Sequence, residues 1–198
     1  IRAAGMVILG KTNMCEWAHF RAWRSTSGWS GRGGLCRNPY ALDRNTSGSS
    51  SGTAVAVTSN FTALGVGTET DGSIISPSSC CGVVGIKPTV GLVSRHGIIP
   101  ISRSQDTAGP MARSVSDAAA LLNVLAATSE LTDVGPRPPG VVDYTASLIR
   151  GSLRGARIGV VRERLFGYSD PADAIAEDAL DVLRREGAIL VDPANIPT

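Results

Sequence analysis

Two glycine- and serine-rich segments frame a short apolar stretch, and this pattern constrains the chain more than any other feature. The first segment is Thr46-Ser47-Gly48-Ser49-Ser50-Ser51-Gly52-Thr53-Ala54, and the second is Gly67-Thr68-Glu69-Thr70-Asp71-Gly72-Ser73-Ile74. Between them, residues 52–58 are small and apolar and read as a helix start, and residues 63–66 read as a buried strand. Glycine lets the backbone turn tightly and present its N–H groups to an anion or an oxyanion. One such stretch alone reads as a flexible loop. Two of them, each set against an apolar element, weaken the flexible-loop reading and leave a built site, with Ser73 beside those donors, as its equal rival.

The rest of the chain reads as alternating strands and helices. Residues 6–9 (Met-Val-Ile-Leu) are expected to form a short buried strand, and residues 26–51 a long structured loop of the kind that carries function. A third strand is expected over 83–86, stopped by Pro88. Ser114 with Asp117 resembles a capping box before a helix whose apolar face is Ala118, Leu121, Leu122 and Leu125. Residues 128–155 hold three prolines and read as a connection. Then follow a strand over 157–161, a helix and a strand over 188–191. That helix opens near Ser169-Asp170-Pro171, ends before Gly187, and turns Ile175, Ala179, Val182 and Leu183 inward. Strand, helix and strand in this order predict an α/β layer architecture with parallel pairing.

Composition excludes several function classes. The 198 residues suffice for one domain with a real core, and 42% hydrophobic with 18% charged residues is a soluble globular balance. No apolar run reaches the roughly 20 residues of a membrane span. A net charge of +2 gives no footprint for nucleic acid. Cys15, Cys36, Cys80 and Cys81 contain no CxxC pair, and His19 and His96 are the sole histidines. Free thiols are therefore expected, with no metal site and no cofactor. The chain opens on Ile and runs straight into an apolar stretch, so a missing N-terminal portion is expected. No leader peptide is visible, and a cytoplasmic location is the default.

Gly48-Ser49-Ser50-Ser51-Gly52 also fits the G-x-S-x-G nucleophile elbow, with Ser50, Asp71 and His96 in the triad order of α/β-hydrolases. An elbow must follow a buried strand. Residues 41–47 are mostly polar and do not read as a strand, which weighs against it.

The motifs taken in order resemble the amidase signature family. That signature runs approximately GGSSGG, an apolar helix and strand, GTDTGGSIR-P, then GLKPT. This chain has Ser47-Gly48-Ser49-Ser50-Ser51-Gly52, then Gly67 to Pro77, then Gly82-Val83-Val84-Gly85-Ile86-Lys87-Pro88-Thr89. Gly10-Lys11-Thr12-Asn13 upstream and Asp106-Thr107-Ala108-Gly109-Pro110 downstream also match. The GSSSG and GTETDGSI forms resemble the branch that holds bacterial peptide amidases with their plant and fungal relatives.

The resemblance implies an amidase signature fold, an α/β domain whose mixed central sheet carries helices on both faces, with residues 1–198 as part of a single such domain lacking N- and C-terminal portions. It implies a serine amidase acting through a Ser–cisSer–Lys triad. Ser73 falls on the nucleophile and Ser49 on the bridging serine preceded by a cis bond. The backbone N–H groups of Thr70, Asp71, Gly72 and Ser73 fall on the oxyanion hole. The family's lysine lies upstream of the GKTN motif, outside this chain. Lys11 and Lys87 match structural lysines instead, so the fragment alone is expected to be inactive and to fold poorly.

Ile75 stands where much of the family has Arg, and Cys80-Cys81 where small or apolar residues are usual. Asp43 and Asp106 read as loop-fixing residues, and Asp71's side chain as non-catalytic. His19 and His96 read as structural. Trp17, Trp23 and Trp29 read as packing residues that could also line an acyl pocket. The implied substrate is a small-molecule or peptide carboxamide, with neither nucleic acid nor membrane as partner. The alternatives are an amidotransferase component of the same family, or a truncated non-catalytic binding protein.

Overall fold

A computed structural model describes residues 1–127 and 143–197, and the chain divides into two compact units, Ile1–Thr145 and Ala146–Thr198. Helices and strands make up both, so the fold is α/β. Part of the expected connection, 128–142, lies outside the described residues.

The apolar run 6–9 is not the expected buried strand. Val7, Ile8 and Leu9 are exposed, and no described strand pairs with them. Apolar composition stabilises a strand only where a neighbour takes up its backbone N–H and C=O groups. The expected loop over 26–51 contains two small antiparallel ribbons. The first pairs β1 (Trp29–Ser30) with β2 (Gly34–Leu35), and the second pairs β3 (Arg37–Asn38) with β4 (Ala41–Asn45). Most of their residues are exposed or half-buried, so they show none of the apolar alternation by which a strand is read from sequence.

The centre of the first unit follows. Helix α1 (Ser51–Thr58) leads to strand β5 (Leu64–Glu69), then helix α2 (Ile75–Cys80), strand β6 (Val84–Gly85), strand β7 (Thr107–Ala112) and helix α3 (Val115–Ala126). The sheet order is β5-β7-β6, with both pairings antiparallel. All six residues of β7 are buried, yet sequence reading treats this segment only as a motif, because Gly109 and Pro110 disguise the strand. Proline fits there because its carbonyl accepts the Ile86 N–H (3.0 Å). Its nitrogen therefore faces the β6 side, where the ladder is only two residues long. Helix α2 is likewise hidden by Pro77, which falls in the first turn, where a missing N–H costs nothing.

Two apolar clusters hold this unit. Ala54, Ile74, Cys81 and Met111 join α1, β7 and the chain around α2. Val93, Ala108 and Leu122 form the second, with Leu125 and Tyr144 packed against it. The expected face of α3 is correct, and its cap is too. Ser114 Oγ accepts the Asp117 N–H at 3.1 Å and donates to Asp117 Oδ2 at 2.7 Å.

In the second unit, strand β8 (Arg157–Gly159), helix α4 (Asp170–Arg185) and strand β9 (Ile189–Val191) form the expected βαβ motif, with β8 and β9 parallel. The predicted inward face of α4 is rotated by about one residue. Ile175 (71% exposed), Ala179 and Val182 point outward, whereas Ala176, Glu177, Leu180 and Leu183 are half-buried. Apolarity misplaces the stripe because Glu177, a charged residue, sits on the packed side. The expected mixed central sheet is not seen among the described residues: the three-stranded sheet of the first unit is wholly antiparallel, and the two-stranded sheet of the second is parallel.

Candidate active site

The site forms where the approach to α1 meets the turn that follows β5. Ser47 has a left-handed φ of 57°, and the Gly48–Ser49 peptide bond is cis. A Cβ on Gly48 would collide with Cys15 Sγ, and one on Gly52 with the backbone of Asn13. Glycine at both places lets the segment lie flat on the chain over 13–15. There the Cys15 N–H donates to the Ser49 carbonyl (3.0 Å) and the Gly52 N–H donates to the Asn13 carbonyl (3.1 Å).

The second segment is anchored from below. Glu69, the last residue of β5, is 5% exposed. Its Oε2 accepts the N–H of Ile74 (2.7 Å) and of Ile75 (3.0 Å), two of the donors that a helix start leaves without partners. Gly72, at φ 75°, reverses the chain, and its carbonyl accepts the Ser76 N–H (2.8 Å). Within the described residues, the N–H groups of Asp71, Gly72 and Ser73 have no acceptor. The Ser50 N–H donates to the Ser73 carbonyl at 3.1 Å, which ties the two segments into one site.

The serine hydroxyls of this site divide into two groups. Ser50 Oγ donates to the Thr68 carbonyl and accepts the Thr68 N–H, both at 3.1 Å. Ser51 Oγ donates to the Ser47 carbonyl (2.7 Å), and the hydroxyls of Ser47 and Ser76 share a 2.6 Å bond. Among the described residues, the hydroxyls of Ser49 and Ser73 make no hydrogen bond, although Ser49 is buried and Ser73 half-buried.

The elbow reading of Ser50 fails on this division, since both its proton and a lone pair are engaged by β5. A strand, β4, does precede the segment, contrary to the reading of residues 41–47. It is an exposed ribbon, however, and not the buried strand an elbow requires.

The amidase family model matches residues 1–198 throughout. The chain belongs to the amidase family. It is 44% identical to a probable amidase of Arabidopsis thaliana over 200 aligned residues, which is 100% of this chain and 38% of that protein. It is also 44% identical to a glutamyl-tRNA(Gln) amidotransferase component of Acinetobacter baylyi, covering 96% of this chain and 38% of that protein. Among solved structures, the native peptide amidase of Stenotrophomonas maltophilia superposes with a TM-score of 0.91 at 54% identity, covering 99% of this chain and 40% of that one. The chain thus spans about two fifths of the length of these amidase-family relatives.

Other residues singled out from the amidase motifs fall in different places. Asp106 is a loop-fixing residue, as expected. It is 6% exposed, its Oδ1 accepts the Thr70 hydroxyl (2.6 Å), and its Oδ2 accepts the N–H of Ile101 (2.8 Å) and Ser102 (2.9 Å). Burial alone would raise its pKa. The three hydrogen bonds and the positive charge of Arg95 outweigh that and hold the carboxyl below its ordinary range. Asp43 does not fix a loop. Its side chain is exposed, 4.0 Å from the equally exposed Arg44.

Trp17 and Trp23 are exposed rather than packed, and Trp29 is half-buried with the Arg21 guanidinium 4.7 Å from its ring centre. His96 is exposed and His19 half-buried. Lys11 and Lys87 are exposed, the latter with Nζ 3.4 Å from the Pro88 carbonyl. All four cysteines are free thiols. Cys15 and Cys81 are buried, and burial, with lesser contributions from Cys80 and Cys36, pushes Cys81 up to about 11.

Sequence reasoning missed Glu69. Its signal is a carboxylate at an inward position of a strand, six residues before a helix start.

Proposed function

We propose that the protein is a serine amidase that hydrolyses a carboxamide, the C-terminal amide of a peptide being the favoured substrate. Ser73 is the nucleophile and Ser49 the bridging serine. The observation that carries this reading is the division of hydroxyls: four serines of the cluster spend theirs on the scaffold, while Ser49 and Ser73 keep theirs available. Membership of the amidase family supports the same assignment.

The chemistry follows from these positions. A serine hydroxyl attacks only when a base removes its proton. Ser49 passes the Ser73 proton to a neutral lysine, which the family carries upstream of the position of Lys11. Ser73 Oγ bonds to the amide carbon, and the charge that develops on oxygen meets the unpaired N–H groups of Asp71, Gly72 and Ser73, with Thr70 completing the set. Collapse of the adduct expels ammonia with the returned proton, and water then releases the carboxylate and regenerates Ser73.

The test is ammonia release from a panel of peptide amides and simple aliphatic or aryl amides. The protein is expressed from the gene's natural start to its natural stop, beside a Ser73→Ala variant. The variant should lose at least about a thousandfold in kcat. Equal activity in both proteins would sink the assignment.

A second reading, a component of an amidotransferase, is favoured by the 44% identity to the Acinetobacter baylyi protein. It predicts that ammonia release from glutamine rises when the other components of such an enzyme are added. Ile75, exposed two residues after Ser73, favours a neutral substrate group there and hence the first reading.

A further inference from the structure

The Thr70–Asp106 hydrogen bond joins two parts of the first unit that lie far apart in the chain. Thr70 opens the turn that ends in Ser73, whereas Asp106 closes the loop over 95–105 just before the central strand β7. We infer that Asp106 is a positioning residue for amide hydrolysis: through the Thr70 hydroxyl it sets the backbone of the turn whose N–H groups receive the oxyanion. This rests on the serine-amidase reading.

The geometry supports the role in three ways. First, Asp106 cannot drift, because β7 is buried over its whole length and begins at the next residue. Its other oxygen is also held by two backbone N–H groups at 2.8 and 2.9 Å. Second, Thr70 stands at the one end of the turn that Glu69 does not hold. Glu69 fixes the chain after Ser73, through Ile74 and Ile75, and Ser50 holds Thr68 within β5, so without Asp106 no side chain holds the turn at Thr70 itself. Third, a 2.6 Å bond from a hydroxyl to a buried carboxylate is short and directional, and displacement of a reacting group by about 1 Å can cost on the order of 100-fold in rate. Asp106 also forms part of the wall of a small cavity with Arg95 and Arg103, so positive charge faces the carboxylate from that side.

The test compares the parent with Thr70→Val, Asp106→Asn and the double variant, all in the protein expressed from natural start to natural stop, with Ser73→Ala as control. Valine keeps the shape of threonine and removes the donor while leaving the anchor over 101–102 intact. Asparagine keeps one oxygen for the N–H groups of Ile101 and Ser102 but turns an NH₂ toward Thr70. Each single variant should lose about 10- to 100-fold in kcat with KM within about threefold. The double variant should be no slower than the slower single one, since both remove the same charge-assisted bond from the Thr70 hydroxyl to the carboxylate.

A Thr70→Val protein that melts like the parent and keeps kcat within about twofold would overturn the proposal. So would losses that multiply in the double variant. If parent and Ser73→Ala hydrolyse amides equally, the amidase reading fails first and the role of Asp106 falls with it. An active parent, a dead Ser73→Ala and an unaffected Thr70→Val would instead reject Asp106 alone.

Discussion

In the first unit, Glu69 and Asp106 are carboxylates withdrawn from solvent, each accepting hydrogen bonds from backbone N–H groups or a hydroxyl. In the second, Glu177 and Asp192 stand nearer the surface and bond to Arg162, whose guanidinium also lies 4.6 Å from the Phe166 ring centre. The same chemical group thus does two jobs. Where water is excluded, a hydrogen-bonded carboxylate fixes backbone, and leaving its donors unpaired is costly. Where water competes, an ion pair is screened and contributes far less. The unit that carries the candidate site is built on the first kind of bond, which suits a turn whose N–H groups must be aimed before a substrate arrives.

The strongest challenge to this contrast is Glu69→Ala. It would leave the Ile74 and Ile75 N–H groups without an acceptor inside the unit, at a cost of roughly 2–4 kcal/mol in folding free energy. Because those residues follow Ser73 directly, kcat for amide hydrolysis should also fall by about 100-fold. Denaturant melts and amide kinetics on the same preparation check both. A variant as stable and as fast as the parent would show that the buried carboxylate does not order the turn.

A smaller effect is expected from acid at Asp106. Its folded pKa lies below its unfolded value of about 3.9, so its contribution to stability is fully present above that value and disappears as pH falls through the lower, folded one. The urea-midpoint gap between the parent and Asp106→Asn should therefore be constant from about pH 7 to 5 and close as pH drops below about 4. A gap that closes already near pH 6 would mean that the carboxylate is not held ionised by its donors.

Sequence legibility followed the same divide between local and long-range cause. The helix face of α3, its Ser114 cap and the βαβ order of the second unit are set by periodicity and neighbours, and these were readable. The family motifs also pointed to Ser49 and Ser73. Strand β7 and the exposed run 6–9 were misread because strand formation depends on partners distant in sequence: Gly109 and Pro110 look unsuited to a strand until β5 and β6 flank them. Glu69 and Asp106 were unreadable as a pair of anchors for a similar reason. Their partners are five and 36 residues away, and no local pattern marks a carboxylate that will end up accepting N–H groups. Ser50 shows the reverse case. Its motif invites a nucleophile, the polar residues 41–47 already weigh against it, and the bonds with Thr68 remove it from contention.

The smallest effect is expected at Arg162, where the contrast can be sharpened most cleanly. Its Nε and Nη2 donate to the two oxygens of Asp192 (2.8 and 2.5 Å), and Nη1 pairs with Glu177 on α4. The hydrogen bonds to Asp192 and Glu177 raise its pKa further above its ordinary value, and the bond from Arg162 lowers that of Asp192. The cluster links the end of β8 to α4 and to the segment after β9, so it is a structural clamp of the second unit. Arg162→Met should lower Tm slightly, and the deficit should shrink when salt is raised to about 0.5 M, because the parent's pairs are then screened as well. Arg162→Lys should fall between, since an ammonium cannot span both Asp192 oxygens as the fork does. None of these changes should alter the kcat of the folded enzyme. A salt-independent loss as large as that of Glu69→Ala would erase the distinction between the two units, because the exposed clamp would then behave like the buried anchors.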